Sequence, residues 1–211
     1  MAKWRPFEIG AALPFLVSAS SAAATVTAQP GKAEAIPVQV LGGDAAAVEL
    51  RADNKAELLQ AKFVFESAYG AMPLRRIDVY ANDNASGYYT RYGGGNGDPF
   101  LMLYVYPANQ PIANEVGAVK VALVDRLKAT ESENLLPALT VPGAAFGCFS
   151  GTGDDRQVDT CFWLVERDGW FLKVRLTVPR QRTADAIDVA TRALQSIPWG
   201  WTPTTPMRPA N

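Results

Sequence analysis

The chain reads as an α+β domain: a mainly antiparallel sheet with flanking helices, closing in a three-stranded meander followed by a helix. Three observations predict this. First, Asp168-Gly169 is a two-residue hairpin signal between alternating apolar runs. Centring a turn there sets Val165 opposite Leu172, Trp163 opposite Val174 and Cys161 opposite Leu176, all on one face. Second, the two cysteines, Cys148 and Cys161, flank the turn-rich run Gly151–Asp155, and pairing them puts Phe146 opposite Trp163 on that same face. Two independent cues agree on one register, and a slip by one residue would turn every core side chain to the other side. Third, two stretches carry a helical period: Val116, Val119, Leu123 and Leu127, widened by Val124, and Ile187, Ala190, Leu194 and Ile197.

Residues 1–28 read as a secretory signal peptide. Lys3 and Arg5 precede an apolar stretch from Ile9 to Ala19, and small residues offer cleavage after Ala22-Ala23-Ala24 or after Val26-Thr27-Ala28. The alternative is a retained N-terminal anchor, but Ser18, Ser20, Ser21, Thr25 and Thr27 make a poor span of about 20 residues. No other segment is apolar enough to cross a membrane, so the mature chain is expected to have no span. Residues 29–43, rich in Pro, Gly and Ala, read as a flexible lead-in, residues 44–198 as one α+β domain, and residues 199–211 as a disordered Pro-rich tail.

Within the domain, Asp44–Gln60 holds good helix formers behind the N-cap candidate Asp44, but its period is poor. It fits two short helices or a helix and a strand. Strands are predicted at Lys62–Glu66, Leu74–Tyr80, Tyr88–Tyr92 and Phe100–Tyr106. In the last, Leu101, Leu103 and Val105 face one side and Met102, Tyr104 and Tyr106 the other, so both sides are expected to be covered, and Pro107 ends it. The first long helix is expected over Asn114–Lys128, capped by Asn114, with Glu115 in its first turn. The meander's second face carries Phe162, Leu164, Phe171, Lys173, Arg175 and Thr177 and reads as mixed. A last helix runs from Ala184 to Ile197 behind the cap Thr183.

The order of elements from Phe100 onward resembles that of Mog1/PsbP-like α+β domains. The residues that carry the likeness are Leu103-Tyr104-Val105-Tyr106-Pro107, the run Trp170–Pro179 and Ala193-Leu194-Gln195-Ser196-Ile197-Pro198-Trp199. The likeness is one of architecture. It implies a binding or assembly role without catalysis and carries no functional residue across.

Composition excludes several classes of function. With 20 Lys and Arg against 21 Asp and Glu, the chain has no basic excess to neutralise phosphates, so no nucleic-acid partner is expected. The absence of histidine excludes Ser-His-Asp and Cys-His catalysis and His-ligated zinc, and two cysteines cannot form a Cys₄ site. Cys148 and Cys161 are not spaced as Cys-x-x-Cys and face the expected core, which points to a structural disulfide and an oxidising compartment, periplasmic or exterior. Asn82–Gly87 has the alternating oxygens of half a calcium loop, but the twelfth position is Gly93, so it reads as a turn. Gly93–Gly97 lacks the Lys-Ser/Thr and the helix of a phosphate cradle. No metal or cofactor is expected.

The acids Asp78, Asp83, Asp98, Asp154, Asp155 and Asp159 are scattered. An aromatic-rich region stands out instead: Tyr88, Tyr89, Arg91 and Tyr92, beside the Gly93–Gly97 loop and near Tyr104 and Tyr106. If a binding surface exists, it is expected to centre on Tyr88, Tyr89, Arg91 and Tyr92. Lys173 and Arg175 read chiefly as solubilising charges, with an anionic partner as the alternative. The expectation is a non-catalytic secreted or periplasmic module that binds an envelope protein or a small ligand. The alternative is a metal-independent Asp/Glu hydrolase of the cell envelope.

Overall fold

The computed structural model describes residues 38–41, 48–51, 55–82, 85–94, 98–132, 141–153, 155–181 and 184–203. The expected signal peptide, most of the lead-in, the Asp44 and Thr183 caps, the loop residues 83–84 and 95–97, and the tail from 204 lie outside the described residues.

The described strands are β1 (Val38–Leu41), β2 (Val48–Leu50), β3 (Ala56–Leu58), β4 (Phe63–Phe65), β5 (Ala68–Tyr69), β6 (Met72–Asn82), β7 (Ala85–Gly93), β8 (Phe100–Pro107), β9 (Thr130–Ser132), β10 (Ala145–Gly153), β11 (Arg156–Arg167) and β12 (Trp170–Pro179). The helices are α1 (Ile112–Leu127) and α2 (Ala184–Gln195). The large sheet runs β1-β6-β7-β8-β12-β11-β10-β9, with β5 beside β6, and β2-β3-β4 form a small second sheet. Every pairing is antiparallel except β1 with β6. The architecture is α+β, with a large antiparallel sheet and one helix packed on each face.

The hairpin of β11 and β12 turns on Asp168 (φ 46°) and Gly169 (φ 82°), both left-handed, the backbone that matches the twist of the flanking strands. The register pairs Val165 with Leu172, Trp163 with Val174 and Cys161 with Leu176, as the alternation predicts. Cys148 lies opposite Cys161, their Cα atoms 4.1 Å apart, and the two form a disulfide. Their face packs with Ile77, Val79, Leu101, Leu103 and Val105 against Ala190, Leu194 and Ile197 of the α2 segment.

Several expectations are corrected. Phe146, placed on the inner face, is 39% exposed although its ring lies 5.2 Å from Trp163. β9 pairs only with Cys148–Ser150, so among the described residues no strand flanks Phe146 on that side. The meander's second face is largely a second core: Phe149, Phe162, Leu164 and Phe171 pack beneath Val119 and Leu123 of α1. Pro111, not Asn114, occupies the α1 N-cap position, and the helix starts without a side-chain cap. Val124 lies outside the buried stripe at 43% exposure. The close seat of α1 requires Gly151, where an added Cβ would fall 2.5 Å from the Leu127 carbonyl oxygen.

Where Asp44–Gln60 is described, it is strand rather than helix. Ala56, Glu57 and Leu58 are all buried in β3, and burial overrides the local helix propensity. Glu57 answers Arg51 at 2.7 Å and Lys62 at 3.6 Å. Part of the expected lead-in is the strand β1. Residues 199–203 belong to the fold rather than to a tail. The Trp201 indole packs edge-on to Phe63, and its Nε1 donates to the Ala61 carbonyl.

Trp163→Ala is expected to cost about 3–5 kcal/mol, whereas Phe146→Ala, with its ring partly in water, costs about 1 kcal/mol or less. Chemical denaturation of both variants checks the pair; equal losses would contradict the packing described. Replacing both Cys148 and Cys161 by Ala is expected to cost about 2–4 kcal/mol in the same measurement.

Candidate functional site

The two helices cover the sheet unequally. α2 and the small sheet seal one face, while α1 lies over β10 and β11 on the other and leaves the β6–β7–β8 half of that outer face without a helix among the described residues. A bulge positions this open half. Between Leu74 and Arg76 the β6 register shifts, so Leu74 and Ile77, three residues apart, both reach the core. Asp78 then alternates outward.

Two cross-strand rows result. In the first, Asp78 pairs with Tyr89, Tyr89 with Tyr104 and Tyr104 with Lys173. In the second, Arg76 pairs with Arg91, Arg91 with Met102 and Met102 with Arg175. The first row is a stack of upright groups. The Tyr89 and Tyr104 rings lie 5.6 Å apart at 28°, and Lys173 Nζ sits 4.6 Å from the Tyr104 centroid and 5.0 Å from that of Tyr106. At one end the Asp78 carboxylate is fully buried. Its Oδ1 accepts from Arg76, while Oδ2 is sealed from solvent without a hydrogen bond. Burial, and then the Asp78 carboxylate, raise the Tyr89 phenol above its ordinary value, so it stays protonated at neutral pH.

At the other end of the row, Glu115 of α1 holds Lys173 at 3.7 Å. Glu115 also accepts from the Tyr106 hydroxyl and from Gln110 Nε2, which fastens the start of α1 to the sheet. Burial lowers the Lys173 ammonium from 10.5 to about 8. Glu115 opposes that shift and Arg175 adds to it. The expectation that Lys173 and Arg175 are solvent-face charges therefore gives way to a half-buried pair at the edge of α1.

The structure divides the tyrosine-rich strand. Tyr88 and Tyr92 are fully buried in the inner core, where Tyr92 donates to the Glu66 carbonyl, so neither offers a surface to a ligand. Tyr89 and Arg91 stand on the outer face, Arg91 with its guanidinium 4.6 Å over the Phe100 ring. Tyr104, read with this aromatic region in the sequence, stands beside Tyr89 as its cross-strand partner. Asp78, Met102, Lys173 and Arg175 join the face through strand pairings that the sequence did not show, although each strand's alternation turned them outward. Among the described residues, no group of acids and cysteines comes together that could hold a metal ion. The two most buried aspartates do not converge: Asp78 faces outward on β6, whereas Asp159 lies on β11 on the inner face, hydrogen-bonded to Ser150. Among the described residues no helix is long and apolar enough to cross a membrane.

From about pH 8 upward the unfolded lysine binds more protons than folded Lys173, so wild-type stability is expected to rise with pH relative to Lys173→Met. Denaturant unfolding of both proteins from pH 7 to 10 reads this difference; parallel curves would show that the ammonium is not desolvated. Glu115→Gln removes the group that favours the charged form, and the rise then begins at lower pH.

No family model matches the chain, and no curated protein matches it significantly.

Proposed function

We propose that the protein is a non-catalytic binding or assembly module of the periplasm or cell exterior, and that it meets its partner through the open half of the outer sheet face. The observation that carries this reading is the pair of cross-strand rows. They set Tyr89, Tyr104, Arg91, Met102, Lys173 and Arg175 side by side, with a cationic balance, on a face that α1 only half covers. Rings with polar tips beside guanidinium groups are the side chains that interfaces favour. The buried Cys148–Cys161 disulfide supports an oxidising compartment. The placement of Asp78 and Asp159 on opposite faces favours binding over hydrolysis by a carboxylate pair, which needs two convergent acids. The resemblance to Mog1/PsbP-like domains points the same way.

Mature protein used as bait on its own envelope fraction tests the reading. Tyr89→Ala with Arg91→Ala is expected to lose a partner that wild type recovers, with circular dichroism unchanged. Equal recovery by both proteins overturns the assignment of this face. Turnover of generic ester, glycoside or phosphate substrates that vanishes in Asp78→Asn or Asp159→Asn overturns the non-catalytic reading.

A further inference from the structure

Four cations stand on the outer face, and they are not alike. Arg76 is held by Asp78, and Lys173 by Glu115. Arg91 rests on the Phe100 ring. Arg175 has no carboxylate among the described residues. Its Nη2 donates to the Met102 sulfur at 2.8 Å, and its Nε is sealed from solvent with no hydrogen-bond partner. The Tyr104 hydroxyl donates to the same sulfur from 3.5 Å. One thioether therefore takes two donors, a guanidinium and a phenol, although it is only a weak acceptor. A buried donor left short of an acceptor is costly, and more so when it carries charge. The register explains the crowding. Met102 lies directly opposite Arg175, and Tyr104 follows two residues on along the same face of β8. Met102 is itself partly exposed, whereas Met72, the other methionine among the described residues, is 2% exposed in the inner core.

We propose that Met102 is an oxidation site, and that its sulfoxide supplies the oxygen acceptor that the Arg175 guanidinium lacks. The oxidant is a peroxide. A sulfur lone pair attacks one peroxide oxygen, and the S–O bond forms as the O–O bond breaks. The departing hydroxide takes the proton from the new S–OH group and leaves as water. Sulfur gives up two electrons and the peroxide is reduced by two. The product oxygen carries partial negative charge, which makes it a far better acceptor than the thioether. Nη2 and the phenol must draw back to admit it, and both belong to partly exposed side chains. They then close on oxygen instead of sulfur. Oxidation of a methionine ordinarily sets a polar group among apolar ones and loosens the packing. Here the polar group arrives beside two donors, so the fold holds the oxidised state. This inference goes beyond the partner reading of the outer face and does not depend on it.

The test uses the mature chain with its disulfide intact. Hydrogen peroxide is added to the folded protein, and peptide mass mapping reads oxygen uptake at each methionine. Met102 is expected to gain one oxygen, while Met72 stays reduced until denaturant opens the core. Denaturant unfolding then compares oxidised with reduced protein, and Met102→Leu treated in the same way removes the contribution of the other methionines. The midpoint of oxidised wild type is expected at or above that of the reduced protein. Loss of the donor reverses the sign, so Arg175→Leu is expected to lose midpoint on oxidation. A second comparison needs neither oxidant nor an Arg175 variant. Met102→Gln carries an amide oxygen in place of the sulfoxide oxygen, and Met102→Leu carries none. The folded-to-unfolded ratio of Met102→Gln is expected to exceed that of Met102→Leu about tenfold, as one hydrogen bond to a charged group provides. If Arg175→Leu does not fold, this pair decides the matter. Four results each overturn the proposal: uptake at Met102 no greater than at Met72 in the folded protein, a midpoint that falls when wild type is oxidised, a folded Arg175→Leu indifferent to oxidation, or Met102→Gln no more stable than Met102→Leu.

Discussion

Everything in this fold depends on the pairing of β8 with β12. It is the seam at which the hairpin strands β6, β7 and β8 meet the C-terminal meander, and it joins residues such as Met102 and Arg175, 73 positions apart along the chain. Inside, Leu101 meets Leu176, Leu103 meets Val174 and Val105 meets Leu172, all without solvent exposure. Apolar burial on this scale has to offset the entropy of closing a long loop, which explains the uninterrupted aliphatic alternation on the inner side of both strands. Outside, the same seam brings Tyr104 to Lys173 and Met102 to Arg175. The core and the candidate site are the two sides of one ladder.

The legibility of the chain follows sequence distance. The meander could be read because its strands are consecutive and their turn chemistry is local: Asp168-Gly169 defines one hairpin and the cysteine pair the other. The helix stripes could be read because four residues span a turn, and Val119, Leu123, Ala190 and Leu194 are buried accordingly. Phe146 was placed on the correct side, opposite Trp163, but alternation assigns a side and does not say whether another element lies over it. Asp44–Gln60 stayed open between helix and strand because helix propensity is local, while the burial that makes Ala56–Leu58 strand comes from Phe63, Phe65 and the rest of the inner core. Trp199 and Trp201 sat among prolines and looked like tail, but large indoles bury well wherever a groove is offered, and Leu194 and Ala61 supply acceptors for their N–H groups.

The candidate site was half visible for the same reason. Alternation separated Tyr89 and Arg91 from Tyr88 and Tyr92 but could not say which side water reaches. The answer depends on α1, which packs on strands β10 and β11 that follow it in sequence and leaves β7 without a covering helix among the described residues. Lys173 and Arg175 looked like ordinary outward charges on their own strand. Their neighbours across the seam, two tyrosine rings and a thioether, make them half-buried cations with unequal partners.

The anchoring of Trp201 also has a temporal meaning. Its ring lies against Phe63 and its indole N–H reaches Ala61, 140 residues earlier, so the small sheet of β2, β3 and β4 is roofed by one of the last described residues. A chain that emerges from its N-terminus exposes Phe63 until residue 201 arrives, and the disulfide hairpin and α2 can form before that contact does. The packing of the small sheet is therefore complete only once residue 201 is in place, a contact of long sequence separation that costs more loop entropy than the local hairpins.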